Sequence, residues 1–121
     1  MKTQFALIVE DDPDIAVFFS EALRDAGFEV DLARTGDAAL VRLAASVPDV
    51  VVLDLHLPNV SGTDILRQIR ADARLAGVRI IVASADSSRA EELREQADLV
   101  LVKPISFNQL RDLAARLLRV D

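Results

Sequence analysis

Three acids, Glu10, Asp11 and Asp12, stand directly after the apolar run Ala6-Leu7-Ile8-Val9, and Asp54 stands directly after Val50-Val51-Val52-Leu53. The run Ile80-Ile81-Val82-Ala83 gives way to Ser84, and Leu99-Val100-Leu101-Val102 gives way to Lys103. If a fold gathers these ends, Glu10, Asp11 and Asp54 repel one another: two like charges about 4 Å apart cost roughly 4 kcal/mol at an effective dielectric of 20. Lys103 can offset this, and so can a hard divalent cation, Mg2+ or Mn2+, which takes oxygen ligands and is commonly held by carboxylates together with a phosphate. Carboxylates, cation, ammonium and hydroxyl on one edge make a site for phosphoryl transfer. Asp54 is then the nucleophile, able to form an acyl phosphate. Lys103 and the metal neutralise charge on the transferring group, and Ser84 donates a hydrogen bond to it.

Each residue also has a plainer reading. Asp12 precedes Pro13 and is best explained as a helix cap. Asp54 lies between Leu53 and Leu55, where an acid is costly without partners. The chain uses 12 Arg but only two Lys, and the second, Lys2, is at the terminus. At the site Lys103 offers a compact point charge where Arg would present a bulky fork. Pro104 after it is a candidate for a cis bond. Ser84 gains weight from its shared edge. His56, the single histidine, falls two residues after Asp54 and so at the margin of the site. Asp86, two residues after Ser84, is expected to face His56 across the opening.

The four apolar runs are too short for buried helices and rich in β-branched residues, so they predict strands buried on both faces of a parallel sheet. Phe28-Glu29-Val30-Asp31-Leu32 alternates and predicts a half-exposed edge strand. Helical stripes fill the gaps. Ile15, Phe18, Phe19, Ala22, Leu23 and Ala26 form the first, stopped by Gly27. Ala39, Leu40, Leu43 and Ala44 form the second. Ile65, Leu66, Ile69 and Ala73 form the third, opened by Ser61-Gly62-Thr63-Asp64. A polar segment, 88–96, has Ala90 and Leu93 as anchors and a capping pattern from Ser88 to Glu91. Leu110, Leu113, Ala114, Leu117 and Leu118 form a last helix, 106–119, begun by Ser106. The order βαβαβαβαβα predicts an α/β, doubly wound, five-stranded parallel sheet with strand order 2-1-3-4-5. That order places the first and third strands side by side at the point where strand order reverses, and so brings Glu10 and Asp11 beside Asp54.

The 121 residues suit one domain spanning 1–121. No Cys is present, which excludes disulfides and thiolate chemistry, and a single His excludes a zinc site of the usual kind. The net charge of −6 argues against direct contact with nucleic acid or anionic lipid. No apolar stretch approaches the roughly 20 residues of a membrane span, and acids follow the first apolar run at once, unlike a secretory signal. The expected location is cytoplasmic.

Taken together, Val9-Glu10-Asp11-Asp12-Pro13, Val52-Leu53-Asp54-Leu55-His56-Leu57-Pro58 with Gly62, Ala83-Ser84-Ala85 and Val102-Lys103-Pro104 resemble the response regulator receiver domains of two-component signalling. The resemblance covers the whole chain. Each motif is weak alone; in this order and at these strand ends the set is highly specific. It implies a flavodoxin-like (βα)5 fold with Asp54 as the phosphorylation site. Asp11 and Asp54 would be direct Mg2+ ligands, with Glu10 acting through water and the His56 backbone carbonyl as a further ligand. Ser84 would bind the phosphoryl group and Lys103 would pair with it. The phosphoryl donor would be a phosphohistidine on a sensor histidine kinase or phosphotransfer protein, or a small phosphodonor. The domain would catalyse the transfer and its own dephosphorylation without being an enzyme in the ordinary sense. A downstream protein target would read the face formed by helix 88–96, strand 99–102 and helix 106–119. No output domain is expected within 1–121. Two positions depart from the pattern. Val100 stands where an aromatic residue is frequent, so the usual aromatic coupling is not expected, and His56 stands where other polar residues are frequent. His56 and Asp86 occupy positions that tune phosphoryl lifetime in the family.

Three competing readings carry discriminating features. A phosphatase of the haloacid dehalogenase type needs a second Asp where His56 stands. A flavodoxin needs a hydroxyl- and Gly-rich phosphate loop where Glu10-Asp11-Asp12 stands. A phosphorylation-independent, receiver-like protein-binding scaffold would not need the intact acidic and basic set.

Overall fold

Apolar runs that cannot leave backbone groups unpaired in a core form the strands of one sheet. The computed structural model describes residues 3–118. In chain order its elements are β1 (Phe5–Val9), α1 (Pro13–Ala26), β2 (Glu29–Ala33), α2 (Gly36–Ala45), β3 (Val50–Asp54), α3 (Gly62–Ala71), a 3-10 turn (Ala73–Leu75), β4 (Arg79–Ser84), α4 (Ser87–Glu92), β5 (Leu99–Val102) and α5 (Phe107–Ala115). The five strands are all parallel, in the order β2-β1-β3-β4-β5.

Alternation along the strands divides the core in two. Leu7, Val9, Val51, Leu53, Ile80 and Val82 face α2, α3 and Leu93. Ala6, Ile8, Val52, Ile81, Ala83 and Leu101 face α1 and α5. Helices on both faces explain why the central strands read as continuous apolar runs rather than as alternation.

The helix starts follow local capping chemistry. The Asp12 side chain accepts from the backbone N–H groups of Asp14 and Ile15, with Pro13 at the first helical position. Gly27 ends α1 at φ 112°, a left-handed conformation that glycine adopts without steric cost. Ser61 and Ser106 cap α3 and α5 through the N–H groups of Asp64 and Gln109.

Three expectations are corrected. The polar segment 88–96 is helical only over Ser87–Glu92, and its cap is Asp86, which accepts from the Arg89 N–H at 3.1 Å; Ser88 lies inside the helix. From Leu93 the backbone tightens into i→i−3 turns, Leu93 to Ala90 and Gln96 to Leu93, because too few apolar side chains hold a longer helix to the sheet. The last helix stops at Ala115 rather than continuing to 119. Leu117 and Leu118 still pack on the core from the turn that follows, and residue 119 lies outside the described residues. Third, β5 is not buried on both faces. It is the outer strand beyond β4, so Leu101 is buried while Leu99 and Val100 are half-buried and Val102 is exposed.

Candidate functional site

All five strands run the same way, so their C-terminal ends share one edge, and the polar residues found at those ends meet there. Register fixes the details. Val9 pairs with Leu53, so the next residues, Glu10 and Asp54, emerge side by side. Asp54 pairs with Ala83, one residue before Ser84. Ser84 pairs with Val102, and the Lys103 N–H donates to the Ser84 carbonyl at 2.8 Å.

Glu10 is 1% exposed and Asp54 4% exposed, two acids buried next to one another. The Lys103 ammonium lies between them, donating to Glu10 Oε1 at 2.8 Å and standing 3.6 Å from Asp54 Oδ1. The backbone N–H of Asp12 donates to Glu10 Oε2 at 3.2 Å, and that of His56 donates to Asp54 Oδ1 at 3.2 Å. Burial pushes the Glu10 carboxyl up to about 7 and the charge of Asp54 pushes the same way, while the Lys103 hydrogen bond pulls it back. Lys103 also sits 5.9 Å from the centroid of the Phe19 ring on α1. The Lys103–Pro104 bond is cis.

Carboxylate oxygens of Glu10, Asp11 and Asp54 lie within 4.8 Å of one another, with Asp11 the exposed member. Three hard oxygen donors around one point, with Lys103 the single ammonium among them in the described residues, are the chemistry that a Mg2+ ion satisfies. The donor set therefore fits that ion.

The Ser84 hydroxyl is fully buried and turned back on its own loop. It accepts from the Asp86 N–H at 3.0 Å and lies 3.4 Å from the Asp86 carbonyl. His56 and Asp86 line a single cleft of about 260 Å3 together with Thr63 and Arg89, so the two do share an opening. Asp86 has a structural task there as the α4 cap.

Other residues shape the site without advertising themselves. At Gly62 an added Cβ would lie 2.1 Å from the Asp54 carbonyl oxygen, so only glycine lets α3 begin this close to the end of β3. Asn59, at φ 68°, turns the loop between them. Arg34, after β2, donates to the Asp11 carbonyl through Nη2 at 2.9 Å and Nε at 3.3 Å. Arg89 on α4 donates to the buried Thr63 Oγ1 on α3 at 3.2 and 3.3 Å. Neither arginine has a local sequence signal, because each partner is more than 20 residues away.

Residues 6–115 match the family model described as the response regulator receiver domain. The chain is 36% identical over 115 residues to the phosphate regulon transcriptional regulatory protein PhoB of Rhizobium meliloti, an alignment covering 93% of this chain and 51% of that protein. It is 40% identical over 105 residues to the transcriptional regulatory protein CutR of Streptomyces coelicolor, covering 86% of this chain and 48% of that one. The chain spans about half the length of these curated relatives. Among solved structures, a CheY-like response regulator receiver domain from Methylobacillus flagellatus superposes with a TM-score of 0.85 at 32% identity, covering 96% of this chain and 99% of that one. The response regulator TrrA of Thermotoga maritima, solved with Mg2+-BeF, gives 0.85 at 31%, covering 96% and 100%. With family, fold and edge-clustered polar groups in agreement, this chain belongs to the response regulator receiver domains of two-component systems.

Proposed function

We propose that this domain accepts a phosphoryl group on Asp54 and uses it to alter the face built from α4, β5 and α5. The observation that carries this reading is the buried pair of acids, Glu10 and Asp54, bridged by Lys103, with the Asp11 carboxylate alongside. An Asp54 oxygen attacks the phosphorus of a phosphohistidine, on a sensor kinase or phosphotransfer protein, or of a small acyl phosphate. The new O–P bond forms as the bond from phosphorus to the donor's nitrogen or oxygen breaks, and the donor leaves with that electron pair.

Lys103, already 3.6 Å from Asp54, pairs with the incoming phosphoryl oxygens. The Ser84 hydroxyl exchanges its contacts with the Asp86 backbone for one with the phosphoryl group, drawing the loop into α4 with it. Asp11, Asp54 and the His56 carbonyl would hold Mg2+ or Mn2+, with Glu10 acting through water; the ion supplies neutralising charge to the phosphoryl oxygens. His56 and Asp86, at the mouth of the cleft, control the access of water to the acyl phosphate. Comparing dephosphorylation of the wild type with His56→Asn tests that role, and equal rates remove His56 from it. The reaction is self-catalysed, with one aspartate serving as substrate. The output is a docked protein, because a net charge of −6 makes this domain itself a poor ligand for nucleic acid. Among the described residues no helix is long and apolar enough to cross a membrane.

Val100 is half-buried on β5, so the switch works through the Ser84 loop and α4 without an aromatic rotor. Hydrogen exchange with Mg2+ and beryllofluoride tests this. Altered protection over 84–105 in the wild type, absent in Asp54→Asn, is expected; identical exchange in both refutes the switch and favours a phosphorylation-independent scaffold.

A further inference from the structure

Asp11 differs from the other two acids of the cluster. Glu10 and Asp54 are buried and held by Lys103, whereas Asp11 is exposed and, among the described residues, no hydrogen bond fixes its carboxylate. Its aim depends on the backbone. The Asp11–Asp12 peptide is held at both poles: the Asp12 N–H donates to Glu10 Oε2 at 3.2 Å, and the Asp11 carbonyl accepts from Arg34 at 2.9 and 3.3 Å. Among the described residues no other group donates to that carbonyl. One residue earlier, the Glu10 N–H donates to the Ala33 carbonyl at 3.1 Å, so the end of β2 anchors both successive acids through their backbone. The planar guanidinium places two donors on one oxygen, which a lysine cannot do.

We infer that Arg34 is a positioning residue for the metal site: its fork fixes the Asp11–Asp12 peptide and so aims the Asp11 carboxylate at the divalent cation shared with Asp54. This rests on the assignment of Asp11 and Asp54 as cation ligands. It makes a prediction of unusual sign. Arg34 is an exposed cation beside a site for a dication, so by charge alone its removal tightens Mg2+ binding. By positioning, its removal weakens binding.

Isothermal titration of the metal-free chain with MgCl2 separates these. Arg34→Ala is expected to bind Mg2+ roughly 10-fold more weakly than wild type. Its thermal midpoint in EDTA should be unchanged, since the side chain is exposed. Arg34→Lys, which keeps the charge and loses the fork, is expected to bind more weakly than wild type as well. Equal or tighter binding by Arg34→Ala overturns the inference. Should Arg34→Ala fail to fold, Arg34→Lys decides: weaker binding in a folded protein supports positioning, and wild-type affinity overturns it. A wild type that binds no Mg2+ overturns the cation assignment itself and this inference with it. Wild-type binding with unaffected variants overturns the role of Arg34 alone.

Discussion

On the β1 flank of the site the chain passes from a buried strand through three acids into α1, a helix of 14 residues with both ends capped and six residues buried, Phe19 and Leu23 among them. On the β4 flank it passes from an equally buried strand through Ser84 into α4, a helix of six residues in which Ala90 alone is buried. The first flank is tied down at every step, by Arg34 on the Asp11 carbonyl, Ala33 on the Glu10 N–H and Lys103 on the Glu10 carboxylate. The second is tied by polar contacts, Asp86 to Arg89 and Arg89 to Thr63, with Leu93 as its main apolar anchor. A phosphoryl acceptor needs both. The groups around Asp54 work best when fixed in advance, and a signal needs an element whose two positions differ by only a few kcal/mol.

Amide exchange is the sharpest way to break this contrast. The Leu93 and Arg94 amides should exchange at least about 100-fold faster than those of Ala22 and Leu23, a gap of about 3 kcal/mol between local and global opening. Equal protection would mean that α4 is not a separate unit. Next in size, Lys103→Met removes the one cation from the buried acids and should lower metal-free stability by about 2–3 kcal/mol at pH 8, measured by urea unfolding in EDTA. An unchanged midpoint would show that the acids are tolerated without it.

The third effect is a pH dependence. Glu10 sits at about 7 in the folded chain against 4.5 when unfolded, so between those values the folded state holds more protons. The Glu10 contribution to metal-free stability should therefore be full below about pH 4.5 and fall by about 1–3 kcal/mol as pH rises to 7 and above. Glu10→Gln should flatten that slope, and an undiminished slope in the variant would place its origin elsewhere. Smallest is Arg89→Ala, which should change global stability by no more than about 1 kcal/mol yet speed α4 exchange several-fold. A loss spread across α1 would contradict the separation of the flanks.

The sheet was legible from the sequence because a strand covered on both faces must be apolar throughout, and four such runs with the alternating β2 leave few topologies. The site was legible because parallel strands end on one edge, so Glu10, Asp54, Ser84 and Lys103 could be placed together from their position after each run. What escaped was set by tertiary competition. Ser88 and Asp86 can both cap a helix, and only the geometry of the Ser84 loop selects Asp86. Leu99-Val100-Leu101-Val102 is as apolar as the central strands, so although the order 2-1-3-4-5 puts it outermost, its composition carries no mark of its partial exposure. The forks of Arg34 and Arg89 join residues distant in sequence, and 12 arginines offer no means of choosing between them beforehand.

The most direct measurement is intact mass after incubation with acetyl phosphate and Mg2+. The account predicts one added phosphoryl group, dependent on the metal and absent from Asp54→Asn. A wild type that gains nothing, or an Asp54→Asn variant labelled as fully as wild type, would contradict it.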